Sequence, residues 1–129
     1  MRFMLGPATH RFVVSTLTRV EFRGAVRRLQ REGLVGRPLA DELLDRLAKH
    51  WGRVYTPQPL TEVVLSHAAS LLDRHPLRSL DAVQLASCLV LQMPPRPVHP
   101  LFVSSDDQLL KAAATEGLRV WNPATSDLK

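Results

Sequence analysis

The chain has 129 residues, 45% of them hydrophobic, and a formal charge of +5, which is enough for one domain with a core of its own and no disulfide or metal staples. Its single cysteine, Cys88, cannot form an internal bridge. No run reaches ~18 uninterrupted apolar residues, and the opening MRFML lacks the apolar length of a signal peptide; a disulfide scaffold and a membrane span are excluded, and a soluble, cytoplasmic protein is expected.

Residues 1–11 form an atypical start, with a short strand over Arg2 to Leu5, a turn at Gly6-Pro7 and a connection over Ala8 to Arg11. Phe12-Val13-Val14-Ser15 is a short β-rich run, and a helix follows from Thr18 to about Glu32, where Gly33 stops it. Thr18-x-x-Glu21 matches a capping box, which gives Glu21 a structural role. Phe22, Ala25, Val26 and Leu29 make the buried face. Arg19, Arg23, Arg27 and Arg31 recur every four residues as a basic stripe on the other side, which on its own is a solvated helix face. Most of the cationic charge is arginine, only Lys49, Lys111 and Lys129 being lysines, and arginine suits phosphate and planar, bidentate partners.

Gly36-Arg37-Pro38 breaks the chain before a second amphipathic helix, Leu39 to Trp51, whose Leu39, Leu43, Leu44 and Leu47 face the first helix in a hairpin. A short strand is expected at Arg53-Val54-Tyr55, followed by an extended segment held by two prolines. Thr61 caps a third helix through Arg74, with Val64, Ala68, Leu71 and Leu72 inward and His67 packed or half-exposed. His75-Pro76 turns the chain into the helix that ends at Val90, with Ser79 as its N-cap. Leu80, Val83, Leu85, Ala86, Leu89 and Val90 leave that helix little polar surface, so it belongs inside the fold. Asp81 then enters close to the core at a helix start, where unpaired backbone N–H groups and the helix dipole offset part of its desolvation.

A proline-rich connector, Met93 to Pro100, leads to the strand Leu101-Phe102-Val103-Ser104. Ser105 caps a helix from Asp106 to Glu116, with Gln108 completing a capping-box pattern, and Gly117 ends it. Leu118 to Trp121 is a last strand. Strand, helix and strand with short links imply a parallel, right-handed crossover, and residues 124–129 read as a frayed tail. The alternation of strands and helices predicts a single three-layer α/β/α domain over 1–129 with a small parallel sheet.

In such sheets ligands lie outside the carboxyl ends of the strands, and Glu21, Asp81 and Asp106 all leave elements at that edge. One helix-start acid needs no explanation beyond capping. Several converging on one edge repel each other without a cation, and oxygen ligands without His or Cys favour Mg²⁺ or Mn²⁺.

STLTRVEFRGAVRR, HPLRSLDAVQLASCL and LFVSSDDQLLKAAATEGLRVWNP, in that order and spacing, resemble the PIN domain, the fold of VapC-type toxin ribonucleases, over Val13 to Pro123. The resemblance implies an endoribonuclease that uses Mg²⁺ or Mn²⁺, with Glu21, Asp81 and Asp106 as catalytic metal ligands and Ser104 as the hydroxyl supporting Asp106. Asp107 is the adjacent, less favoured alternative. It also implies an RNA substrate, held by Arg19, Arg23, Arg27 and Arg31, and an antitoxin protein as partner. Members of this family open with a hydrophobic strand ending in Asp, whereas residues 1–20 here contain neither Asp nor Glu. The expectation is therefore a PIN-like domain shortened at its start, with sheet edges and apolar faces that favour a homodimer. The alternatives are a catalytically inactive PIN-like module that binds RNA or a protein, and a small α/β interaction domain whose acids are only caps.

Overall fold

The computed structural model describes residues 2–4, 10–95 and 98–125, with side chains from residue 12 onward. The elements run β1 (Arg2–Met4), β2 (His10–Ser15), α1 (Thr18–Arg31), α2 (Arg37–His50), β3 (Tyr55–Gln58), α3 (Glu62–Arg74), α4 (Ser79–Val90), β4 (Leu101–Val103), α5 (Asp107–Thr115) and β5 (Arg119–Trp121). The turn expected at Gly6-Pro7 and the end of the tail lie outside the described residues.

The architecture is α/β, but the sheet is mixed where a parallel one was expected. Its order is β3-β2-β1-β4-β5. β2 pairs with β3 and β4 with β5 in parallel, whereas β1 runs antiparallel to both of its neighbours, with Arg2 opposite Phe12 on one side and Leu101 on the other. β1 thereby fills the centre of the sheet, running opposite to both neighbours. A three-residue strand carries no side-chain period that could fix its direction, so the pairing is decided by the neighbouring strands.

Both faces of the sheet are covered at β2 and β4. Val13 packs on the main core while Val14, on the opposite face by strand alternation, is also buried; Leu101 and Phe102 repeat the pattern. β3 begins two residues later than expected and contains Pro57, tolerated because β3 is an edge strand. Gln58 closes its end by accepting from both the backbone N–H and the hydroxyl of Thr16, at 3.0 and 2.7 Å.

The main core joins α3, α4, β4 and α5 through Val64, Leu71, Leu85, Ala86, Phe102, Leu109 and their neighbours. α4 lies inside it as expected: Ala82, Leu85, Ala86, Ser87 and Cys88 are buried, although Leu80 is half-exposed. Burial pushes the Cys88 thiol up to about 12, so this cysteine acts as a small apolar group.

α1 and α2 pair as a hairpin around a second, smaller cluster of Val26, Ala40 and Leu44. Here the expected faces need correction. Ala25, Leu29 and Leu39 are exposed, and Ala40, absent from the expected set, is fully buried. α2 has taken the side of α1 that carries the arginines: Arg27 donates to Asp41 at 3.1 Å, and the Arg19 guanidinium sits 5.3 Å from the centre of the Trp51 ring.

Candidate functional site

Each acid owes its position to the start of an element. Thr61 caps α3 as expected, accepting from the Val64 N–H at 3.2 Å. α3 then packs along α4 and brings the chain back at His75-Pro76. The α4 helix begins at Ser79, with Arg78 and not Ser79 at the N-cap and no side chain capping it. Asp81 therefore stands in a first turn whose N–H groups lack a side-chain acceptor, which favours an anion there.

β4 delivers the second acid. Ser104 follows its last residue and accepts from the Asp106 N–H at 3.1 Å. Asp106, not Ser105, is the N-cap of α5: its Oδ1 accepts from the N–H groups of Gln108 and Leu109 at 2.9 and 3.2 Å. One oxygen thus fixes the side chain while Oδ2 is left for another partner. Ser104 thus holds the Asp106 backbone and not its carboxylate. Asp107 turns away and accepts from Asn122 Nδ2 at 3.2 Å.

Asp81 and Asp106 meet in one open cleft of about 500 Å³, lined also by Pro76, Leu77, Arg78 and Gln108. Desolvation, and then the Asp106 charge, raise the Asp81 pKa above the usual carboxylate value, and Arg78 pulls it partly back. Among the described residues the Asp81 carboxylate has no hydrogen bond or ion pair. A half-buried, unpaired carboxylate facing a second one is the arrangement that a cation relieves.

Glu21 is not part of that cleft. The capping box that would have occupied it does not form, because Thr18 is itself the first helical residue and α1 has Leu17 at its N-cap. Glu21 instead accepts from Gln84 Nε2 at 2.6 Å, and Thr18 Oγ1 lies 3.4 Å from the same amide. Gln84 follows Asp81 by three residues, so α1 meets α4 one turn further along the face that presents Asp81. The structure brings Asp81 and Asp106 together and leaves Glu21 a helical turn away; among the described residues no three acidic, His or Cys side chains gather closely enough to hold a metal ion.

No family model, curated protein or solved structure matches this chain. No helix among the described residues is long and apolar enough to cross a membrane.

Sequence reasoning missed several residues around the acids. Arg78 and Gln108 line the cleft, and Gln84 holds Glu21. The spacing of Asp81 and Gln84 was the available signal for the last, since i and i+3 share a helix face. A second missed group is Arg74, His75 and Glu116. Arg74 donates to Glu116 at 2.9 and 3.3 Å, and His75 Nε2 lies 2.7 Å from the same carboxylate. Arg74, and then His75, hold the Glu116 carboxyl below its ordinary range. Its members are 41 and 42 residues apart in the chain, and no local pattern signals such a contact.

Proposed function

We propose that the chain is a PIN-like, Mg²⁺- or Mn²⁺-dependent endoribonuclease of the toxin type, working at the Asp81–Asp106 cleft. The observation that carries this reading is the facing pair of carboxylates, one unpaired with a raised pKa and the other fixed through a single oxygen. The donor set fits the ion: Mg²⁺ is commonly held by one or two carboxylates, substrate phosphates and waters. Asp81 and Asp106 would hold it, with Ser104 fixing the Asp106 backbone. The ion supplies polarisation of a phosphoryl oxygen and an acidified water.

The chain's own residues do the rest. Arg78, at the rim of the cleft, attracts the phosphate, and Gln108 offers its amide to the strand. Glu21 supports α4 through Gln84 and serves the site from its outer side. Of the arginine stripe, Arg27 is paired and Arg19 is stacked on Trp51, which leaves Arg23 and Arg31 better placed to reach RNA. The finer picture of a three-layer domain, a cytoplasmic setting, an antitoxin partner and a homodimer belongs to the same proposal. For the dimer, the support is exposed apolar surface at Val20, Leu34 and Leu39 on and beside the hairpin.

A second reading, a catalytically inactive PIN-like module that binds RNA or a protein, is favoured by the separation of Glu21 from the other two acids. Incubation of a structured RNA with the protein in Mn²⁺, and again in EDTA, separates the two. Cleavage in Mn²⁺ that disappears in EDTA and in Asp81→Asn is expected. RNA binding without metal-dependent cleavage would overturn the enzyme reading in favour of the inactive module.

A further inference from the structure

The acidic cleft does not end at Gln108. Pro76 and Gln108 also line a second cavity, of about 290 Å³, whose other walls are Arg74, His75, Lys111, Ala112 and Thr115. The two openings therefore adjoin at Pro76 and Gln108 and follow one another along α5.

The α5 sequence explains why. Gln108, Lys111, Ala112 and Thr115 fall at i, i+3, i+4 and i+7, a single stripe on the helix; Ala112 is the buried floor of that stripe, and Leu109, Leu110 and Ala113 lie in the core beside it. From Gln108 to Thr115 the helix rises about 10 Å. The charge changes along that stripe. At the α4 end stand Asp81 and Asp106, with Arg78 beside them, and beyond Gln108 stand Lys111, Arg74 and His75. Glu116 neutralises Arg74 and engages His75. Lys111 is exposed and, among the described residues, has no ionic partner.

We infer that these adjoining openings act as one groove that carries the RNA strand away from the acid pair, with Lys111 as the phosphate contact beyond the point of cleavage. The inference rests on the acid cleft being where the phosphodiester is engaged. Gln108, at the junction, touches the strand between the two charges. Arg74, held in place by Glu116, borders the path and contributes less charge than Lys111. The surface suits a flexible single strand, because Arg74 on the α3 wall is neutralised by Glu116, which leaves Lys111, among the described residues of this cavity, as the exposed cation for one phosphate backbone.

The test is binding of a fluorescently labelled single-stranded RNA by anisotropy in EDTA, so that no cleavage intervenes. Lys111→Glu is expected to weaken binding about tenfold or more, and Lys111→Ala to lower the slope of log K against log salt by about one. Lys111→Arg should restore affinity. The same charge reversal at Lys49→Glu, on α2, is expected to change affinity less than threefold. Unchanged affinity and salt slope in both Lys111→Glu and Lys111→Ala would overturn the groove while leaving the acid cleft as proposed. Lys111-dependent binding without any metal-dependent cleavage would sustain the groove and remove the nuclease reading. A wild-type protein that binds no single-stranded RNA would overturn the groove, and metal-dependent cleavage by the same protein would still sustain the acid cleft.

Discussion

The part of the chain from α3 onward and the α1–α2 hairpin are both made of amphipathic helices, yet they are secured differently. Among the described residues the first shares one cluster of thirteen buried side chains drawn from three helices and from β4, with Leu118 before β5. The hairpin closes on three, with Phe22, Val35 and Leu43 only partly covered. A cluster that several elements share is lost only when the domain opens as a whole, whereas a cluster within one hairpin can open by itself. The two acids of the cleft and Lys111 stand on the first region; Glu21 and the arginine stripe stand on the second. The acid pair and the proposed groove thus stand on the firm part, and the hairpin is left to adjust.

The largest expected effect breaks the firm region. Leu85 is fully buried in α4, so Leu85→Ala is expected to cost about 4 kcal/mol in denaturant unfolding. Leu44→Ala removes the same atoms from the hairpin but beside an existing small cavity of about 60 Å³, and about 2 kcal/mol is expected. Native-state amide exchange sharpens the contrast: α1 and α2 should exchange through an opening that leaves α4 protected. Equal protection of α2 and α4 would show one cooperative unit and end the comparison.

A smaller effect is expected where Glu116 ties α3 to the end of α5. Arg74 is half-exposed, so screening limits the pair, and Glu116→Gln should cost about 1 kcal/mol at pH 7. The sign with pH follows from the lowered Glu116 pKa. Its contribution is complete above the ordinary value of 4.5 and fades as pH falls through the lowered value, so wild type and variant should converge in acid.

Asp81 should behave in the opposite way, with the smallest change. Its pKa is raised by burial and by Asp106, so the folded state binds this proton more tightly than the unfolded chain does. The stability from protonated Asp81 is complete below 3.8 and is lost as pH rises through the raised value. Asp81→Asn is therefore expected to be as stable as wild type at pH 7, or slightly more so, in the same unfolding assay. A clear loss of stability would mean that Asp81 has a structural partner and is not held ready for a cation.

Much of the firm region was legible in the sequence. The apolar circumference of α4, the Thr61 cap, and the strand, helix and strand from Leu101 to Trp121 all follow local rules that the packing did not override. The hairpin and the sheet centre were harder. The apolar residues of α1 fit more than one face, and which face is buried was decided by α2, through Arg27 with Asp41 and Arg19 on Trp51. The direction of β1 was decided by pairing across the sheet. At the cleft, Asp81 and Asp106 were readable as helix-start acids, but Ser104-Ser105-Asp106-Asp107 offers several caps in a row, and only the Oδ1 contacts select Asp106. Glu21 stood at the right distance along the chain for a site or for a cap; the cap does not form, and its carboxylate accepts from the Gln84 amide outside the Asp81–Asp106 cleft.

Under the proposed function, Asp81 and Asp106 together hold a divalent cation. Two-dimensional NMR of the protein titrated with Mn²⁺ reads this directly, because a paramagnetic ion broadens only nearby signals. Early, selective loss of the amide signals of Asp81, Ala82, Asp106 and Gln108 is expected, and its disappearance in Asp81→Asn. Broadening centred on Glu21 and the hairpin, or spread evenly over the surface acids, would contradict it.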